Sequence, residues 1–245
     1  MWDRQTSSVI GLLDVRGFFI YDEAVFTRDN QVWVIVQPVS GGPIESRRYP
    51  RDLSSFVRPS DHGHHAHGML RGGIPAAIKA GSNRDCLGPS LAGNPPGQGW
   101  KPTALLMDER VNSPNISTAT NPLPSEIRRI GCGVPGQHNF DHFTWNNMQD
   151  DFFFTSTDAY SPAGTDPIAL GIVQVRLTYN ASNQVIGDTP ILLAPHRSEP
   201  SRYGYYAIPR ASCNQQGTRC IFSSSMTVNT NKTNGSLHLY IVDVP

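Results

Sequence analysis

A chain of 245 residues and 26.9 kDa can bury a large core, and all-β architectures often use this length as one domain. Twenty basic and twenty acidic side chains give a formal charge of zero, which excludes a global field that would recruit nucleic acid or an anionic membrane. Charged residues make up only 16%, while Gly (22) and Pro (20) exceed ordinary usage, so turns should be many and long helices few.

From the amino terminus, "MWDRQTSSVIGLL" lacks the charged start and apolar core of a signal peptide, and no apolar run approaches the roughly 18 residues of a membrane span. An exported form would therefore have lost its leader or be a portion of a longer protein. "SSVIGLLDVRG" (7–17) reads as a strand, followed by "EAVFTRDN" (23–30), "QVWVIVQPV" (31–39) and "IESRRY" (44–49). Residues 58–136 are loop-rich, with "MLRGGIPAAI" and "TALLMDERV" as the best strand candidates.

The last hundred residues are the clearest. "DHFTWN", "DDFFFTSTDAY", "IALGIVQVRLTY" and "VIGDTPILLAP" are rich in β-branched and aromatic residues and are separated by Gly, Pro, Asn and Asp breaks, which predicts four antiparallel strands in meander order. After "HRSEPSRYG" the pattern restarts with "YYAIPRASC", "CIFSSSMT" and "LHLYIVDVP", three strands. "FFFTST" matches "CIFSSS" and "GIVQVRLT" matches "LHLYIVDV", a repeat of roughly fifty residues, which is the period of β-propeller blades. A lone four-stranded sheet leaves both faces uncovered, so blades must stack. The expected fold is all-β: four-stranded antiparallel blades in one domain spanning 1–245, about five of them or a portion of a larger ring. The strand at 9–16 would close the last blade by pairing with residues 237–244.

The phrases "FTSTDAY", "ILLAPHRS", "YYAIPRAS", "IFSSSM" and "YIVDVP" resemble blades of bacterial exported β-propellers related to the TolB-like and WD40-like groups, most closely over 137–245 and less over 9–57. The resemblance implies a propeller of several blades. It fixes no activity, since propellers host enzymes, lectins and scaffolds alike.

Four cysteines are an even number, and Cys213 and Cys220 bracket the turn "NQQGTR", so a hairpin can bring them within disulfide reach. Cys86 and Cys132 lie in Gly-rich loops and are candidates for a second bridge if the first exists. The sequons at Asn115, Asn180, Asn231 and Asn234 would accept glycans in a eukaryotic secretory pathway.

Chemistry concentrates in two histidine clusters. "SDHGHHAHG" offers His62 and His64 on one strand face, with His65 and His67 on the other; the bland alternative is a solvated, Gly-flexible loop. "GQHNFDHFTWN" adds His138, Asp141 and His142 ahead of a blade's first strand, where a propeller lines its channel. The "DHFTW" stretch is similar in placement to oligogalacturonate-lyase-type propellers, a resemblance that implies histidines from several blades holding a divalent cation (Mn, Zn or Ca). The structural alternative is that His142 and Trp145 cap the blade core. Trp33 and Trp145 are expected between blades, whereas Trp100, in "NPPGQGWKP", has little local core to join and is a candidate ligand contact. Arg202, Tyr203, Tyr205, Tyr206 and Arg210 suit planar or acidic ligands, or else form an entry strand with snorkelling arginines. Adjacent Asp108 and Glu109 point to opposite faces of a strand and cannot form one acid–base dyad. No G-x-S-x-G, H-E-x-x-H or P-loop occurs.

The sequence thus predicts an extracellular or periplasmic ligand-binding propeller, its ligand a carbohydrate taken by loops at one channel mouth through Trp100, Arg202, Tyr203, Tyr205 and Arg210. The alternatives are a metal-assisted polysaccharide lyase or hydrolase using His62, His64, His138 and His142, and a non-catalytic protein scaffold. Neither nucleic acid nor a membrane span is expected, and the sequence leaves the oligomeric state open.

Overall fold

The structure is a computed structural model that describes residues 2–3, 5–20, 25–27, 30–42, 45–60, 66–80, 104–110, 126–131, 139–145, 148–158, 168, 170–198, 209–225 and 238–245. Among these residues every element is a strand and every strand pairing is antiparallel. None forms a helix long and apolar enough to cross a membrane.

A two-stranded ribbon, β1 (Trp2–Asp3) and β2 (Ser8–Val9), precedes four larger sheets. Sheet I contains β3 (Phe18–Ile20), β4 (Val25–Phe26), β5 (Gln31–Pro38), β6 (Glu45–Pro50) and β7 (Val57–Ser60). Sheet II contains β8 (Ala66–Leu70), β9 (Ile74–Ala80), β10 (Ala104–Asp108) and β11 (Glu126–Ile130) in meander order. Sheet III repeats that order with β12 (Asn139–Thr144), β13 (Phe152–Asp158), β14 (Gly171–Tyr179) and β15 (Val185–Pro195). Sheet IV has three strands, β16 (Ser212–Cys213), β17 (Arg219–Ser224) and β18 (His238–Asp243). These are successive small meanders of the kind a propeller portion contains.

Sequence alternation explains how the sheets stack. On β8, β9 and β10, the residues Ala66, Leu70, Ile78 and Leu106 point one way and join Phe143, Trp145, Phe153, Val173 and Val175 of sheet III in one core. Gly68 on the same face has no side chain because the Trp145 ring occupies its place: an added Cβ would overlap Trp145 Cδ2. The opposite parity of sheet II, His67, Ala77, Leu105 and Met107, faces sheet I, where the buried Trp33 stacks on His67 with ring centroids 4.0 Å apart. Sheet III likewise sends Phe152, Phe154 and Ile172 towards sheet IV, against Cys213, Cys220 and Phe222. Each sheet is therefore covered by its chain neighbour, the burial that an isolated four-stranded sheet lacks. Trp33 and Trp145 take the inter-sheet positions expected of them.

Cys213 and Cys220 form a disulfide across the β16–β17 hairpin, where they are direct cross-strand partners. Cys86 and Cys132 lie outside the described residues.

Three expectations are corrected. "MLRGGIPAAI" is a hairpin rather than one strand: Gly72 and Gly73 adopt φ of +82° and +73° in the turn between β8 and β9, a region closed to most side chains. "EIRRI", within the span expected to be loop-rich, is β11, the outer strand of sheet II. The amino-terminal segment does not close the last sheet: Ser8–Val9 pairs with Trp2–Asp3, residues 10–15 form no strand, and the described residues place only β17 beside β18. Gly11 rests on the backbone of Asp52, and Leu13 packs on the Phe18, Val32, Val34 and Val36 cluster of sheet I. The segment finds its apolar contacts on the outer face of the first sheet.

Candidate functional site

Antiparallel pairing gives the stack two distinguishable ends. The β8–β9 turn (71–73), the loop entering β13 (148–151) and the β16–β17 hairpin (214–218) share one, because Arg71 makes paired hydrogen bonds to Asp151 at 2.7 and 2.8 Å and the Met148 N–H donates to the Gln215 carbonyl. We call it the upper end.

At the lower end of sheet II, Ala104 pairs with both Ala80 and Ile130, and Ala66 opens β8 beside Ile78. At the lower end of sheet III, Asn139 faces Asp158, and Gly171 faces Pro195. The strands flanking segments 81–103, 132–138 and 199–208, and β8 after segment 61–65, thus end at the lower end. His62, His64, Trp100, His138, Arg202, Tyr203 and Tyr205 belong to those segments and lie outside the described residues. Of the expected site residues, His142 and Arg210 are described. His142 is half-buried on β12, the first strand of sheet III, where its backbone N–H donates to Ser156 Oγ at 3.4 Å. Arg210 is exposed just before β16. Among the described residues, no three His, Cys, Asp or Glu side chains come together as a metal ligand set.

The lower end also holds a buried polar seam between sheets III and IV. The fully buried His196 follows β15; its Nε2–H donates to the Thr157 carbonyl at 2.8 Å, and its Nδ1 accepts the Ser198 N–H at 3.0 Å. Only the neutral tautomer satisfies both contacts. Burial pushes the imidazole down from 6.5 to about 4, a shift that the Thr157 carbonyl opposes. Ser224 Oγ donates to the His196 carbonyl, and the Ser225 N–H donates to Ser198 Oγ at 3.1 Å. Ser198 of this seam is followed in sequence by residues 199–208, which contain the Arg/Tyr cluster.

A second buried polar contact carries no signal in the sequence pattern. His67 and Glu109, with side chains 1% and 3% exposed, share a short hydrogen bond between Nδ1 and Oε1. Glu109 follows β10 and His67 sits on β8, so the carboxylate reaches over the intervening β9, where Ala77 and Pro75 are small enough to leave room. Asp108 points away and pairs with Arg110, as expected for adjacent strand residues. His67 is therefore a core residue rather than part of a solvated loop. Its role is to tie sheet II together beneath Trp33.

No protein-family profile matches the chain, and no curated protein matches it. Among solved structures, it is similar to an oligogalacturonate lyase in complex with manganese, with 12% identity and a TM-score of 0.43 over 100% of this chain and 70% of that one. At that score and identity, the superposition says nothing about which residues act.

Proposed function

We propose that the protein is an extracellular or periplasmic propeller-type module that binds carbohydrate through the loops of its lower end. The observation that supports this reading is the shared lower-end anchoring of the segments holding Trp100, Arg202, Tyr203 and Tyr205. Stacking aromatics and forked guanidinium donors from separate segments would then meet one ligand. Arg210, exposed at the return of the last of these segments, would form part of the rim. The Cys213–Cys220 disulfide fits an oxidising compartment.

The metal-assisted lyase or hydrolase reading rests on the same end: His142 stands on the first strand of sheet III, directly after the segment that holds His138. In that reading His62, His64, His138 and His142 hold a divalent cation, Mn, Zn or Ca, which lowers the pKa of a proton on the bound sugar.

Glycan-array binding separates these readings. The carbohydrate reading predicts glycan retention that falls at least tenfold in Trp100→Ala without loss of folding. Metal analysis of untagged protein at near-stoichiometric manganese, zinc or calcium, abolished in His142→Ala, would favour the enzyme. Absence of both glycan and metal would leave a protein scaffold and overturn the proposal.

A further inference from the structure

A cleft of about 500 Å³ opens at the upper end, between sheets III and IV, within the size range of small-molecule sites. One wall is Asp151, Phe152, Gln174 and Arg176; the facing wall is the hairpin residues Gln216 and Thr218.

Both walls are fixed in advance. Asn214 Oδ1 accepts the backbone N–H groups of Thr218 at 2.8 Å and Arg219 at 3.1 Å, while Asn214 Nδ2 donates to Thr218 Oγ1 at 2.9 Å. The Cys213–Cys220 disulfide locks the base of that hairpin, and Gly217 takes a φ of +69° at its turn. Opposite, Arg71 holds Asp151, and the Arg176 Nε–H donates to Gln174 Oε1 at 2.8 Å. Gln174 is only 2% exposed yet lines the cleft, and with its oxygen engaged its two N–H donors remain for a ligand. A site rigid before binding loses little ordering entropy when it is filled.

The chemistry of the lining selects the ligand. Carboxamides and a threonine hydroxyl donate and accept, as vicinal sugar hydroxyls do. Phe152 supplies an apolar surface for ring C–H groups, and its ring is set edge-on to Phe154 at 5.3 Å. The lining holds one acidic and one basic side chain, Asp151 and Arg176, so no single-sign field favours an ion. We infer that this cleft is a second binding site, for a neutral saccharide of one or two rings, at the end of the stack opposite the proposed lower site.

The test is ligand-observed saturation-transfer NMR on the full chain with glucose, galactose, mannose, N-acetylglucosamine, cellobiose and maltose, and with glucuronate and sulfate as anionic controls. At least one neutral sugar should bind, with affinity reduced fivefold or more in both Arg176→Ala and Gln216→Ala. Gln216 is exposed, so the melting temperature should hold in Gln216→Ala; Arg176→Ala leaves the buried Gln174 oxygen without its donor, so its binding is read well below its own melting temperature. Trp100→Ala should leave this binding intact, which keeps failure here distinct from failure at the lower end. Binding of the anions alone, no neutral-sugar binding at millimolar concentration, or binding indifferent to both variants would overturn the inference.

Discussion

His67 and Glu109 stand 42 positions apart in sequence and in contact in the fold, and the pair shows how a buried titratable contact acts as a structural tie. Removing one member of a buried pair leaves the other desolvated without its partner, a loss of roughly 3 kcal/mol, whereas removing both loses less than the sum of the single changes. Glu109→Ala should therefore destabilise strongly in urea titrations, and Glu109→Gln, which keeps the shape and one hydrogen bond, by less than half as much. The double variant with His67→Ala should reveal a coupling above about 1 kcal/mol; additive single effects would show that the contact does not hold the sheet. Neither residue was legible as a partner of the other, because the register that lines up β8, β9 and β10 is a long-range property. Composition did flag the histidine run, but a run of histidines does not say which one is buried. Trp33, in the continuous apolar run "VWVIV", and Trp145, in the alternating "FTW", were by contrast expected in the core, because a propeller places its aromatics between blades.

Strand alternation makes element-scale claims sharp, because neighbours on one strand meet opposite environments. On β18, Ile241 is 69% exposed, whereas Val242 packs against Phe154, the Cys213–Cys220 disulfide and Phe222. Ile241→Lys should change unfolding free energy by no more than about 0.5 kcal/mol, while Val242→Lys, one position on, should cost at least about 2 kcal/mol by driving a charge into the seam. Equal effects in calorimetry would mean that the face assignment of sheet IV is wrong. On β8, Gly68→Ala should cost about 1–3 kcal/mol by displacing the Trp145 ring. The strands of sheets III and IV were legible because their runs are β-rich and their breaks are strong turn formers. In sheet II the Arg71–Gly73 turn interrupts one apolar run, and "EIRRI" has too many charges to stand out; its arginines are accommodated by Asp188 and Glu126. The amino-terminal segment misled because an apolar strand pattern does not say which sheet receives it.

At the scale of the whole stack, the three seams differ in chemistry, and that difference sets how the molecule should respond to acid. The seam between sheets II and III is a large apolar cluster with the Arg128–Asp188 ion pair at its outer strands. The seam between sheets III and IV combines the disulfide and Phe222 with the His196–Thr157–Ser198 network, which requires a neutral imidazole. In the folded protein His196 titrates at about 4, below its ordinary 6.5, so the unfolded chain binds its proton first and the folded state is favoured while the ring is neutral. That stabilisation, roughly 3 kcal/mol over the full shift, is complete above pH 6.5 and is lost as pH falls from there towards 4. Protonation places a second N–H against the Ser198 N–H and loosens the His196 backbone that Ser224 holds, so sheet IV should release before the apolar pair does. Hydrogen exchange read by mass spectrometry at pH 7 and pH 5 should show protection falling first in β17 and β18 while β9, β10 and β13 stay protected. His196→Gln should flatten this pH dependence, since an amide can still donate to the Thr157 carbonyl but does not titrate in that range. Uniform loss of protection across all four sheets, or an unchanged profile in the variant, would place the acid-sensitive element elsewhere.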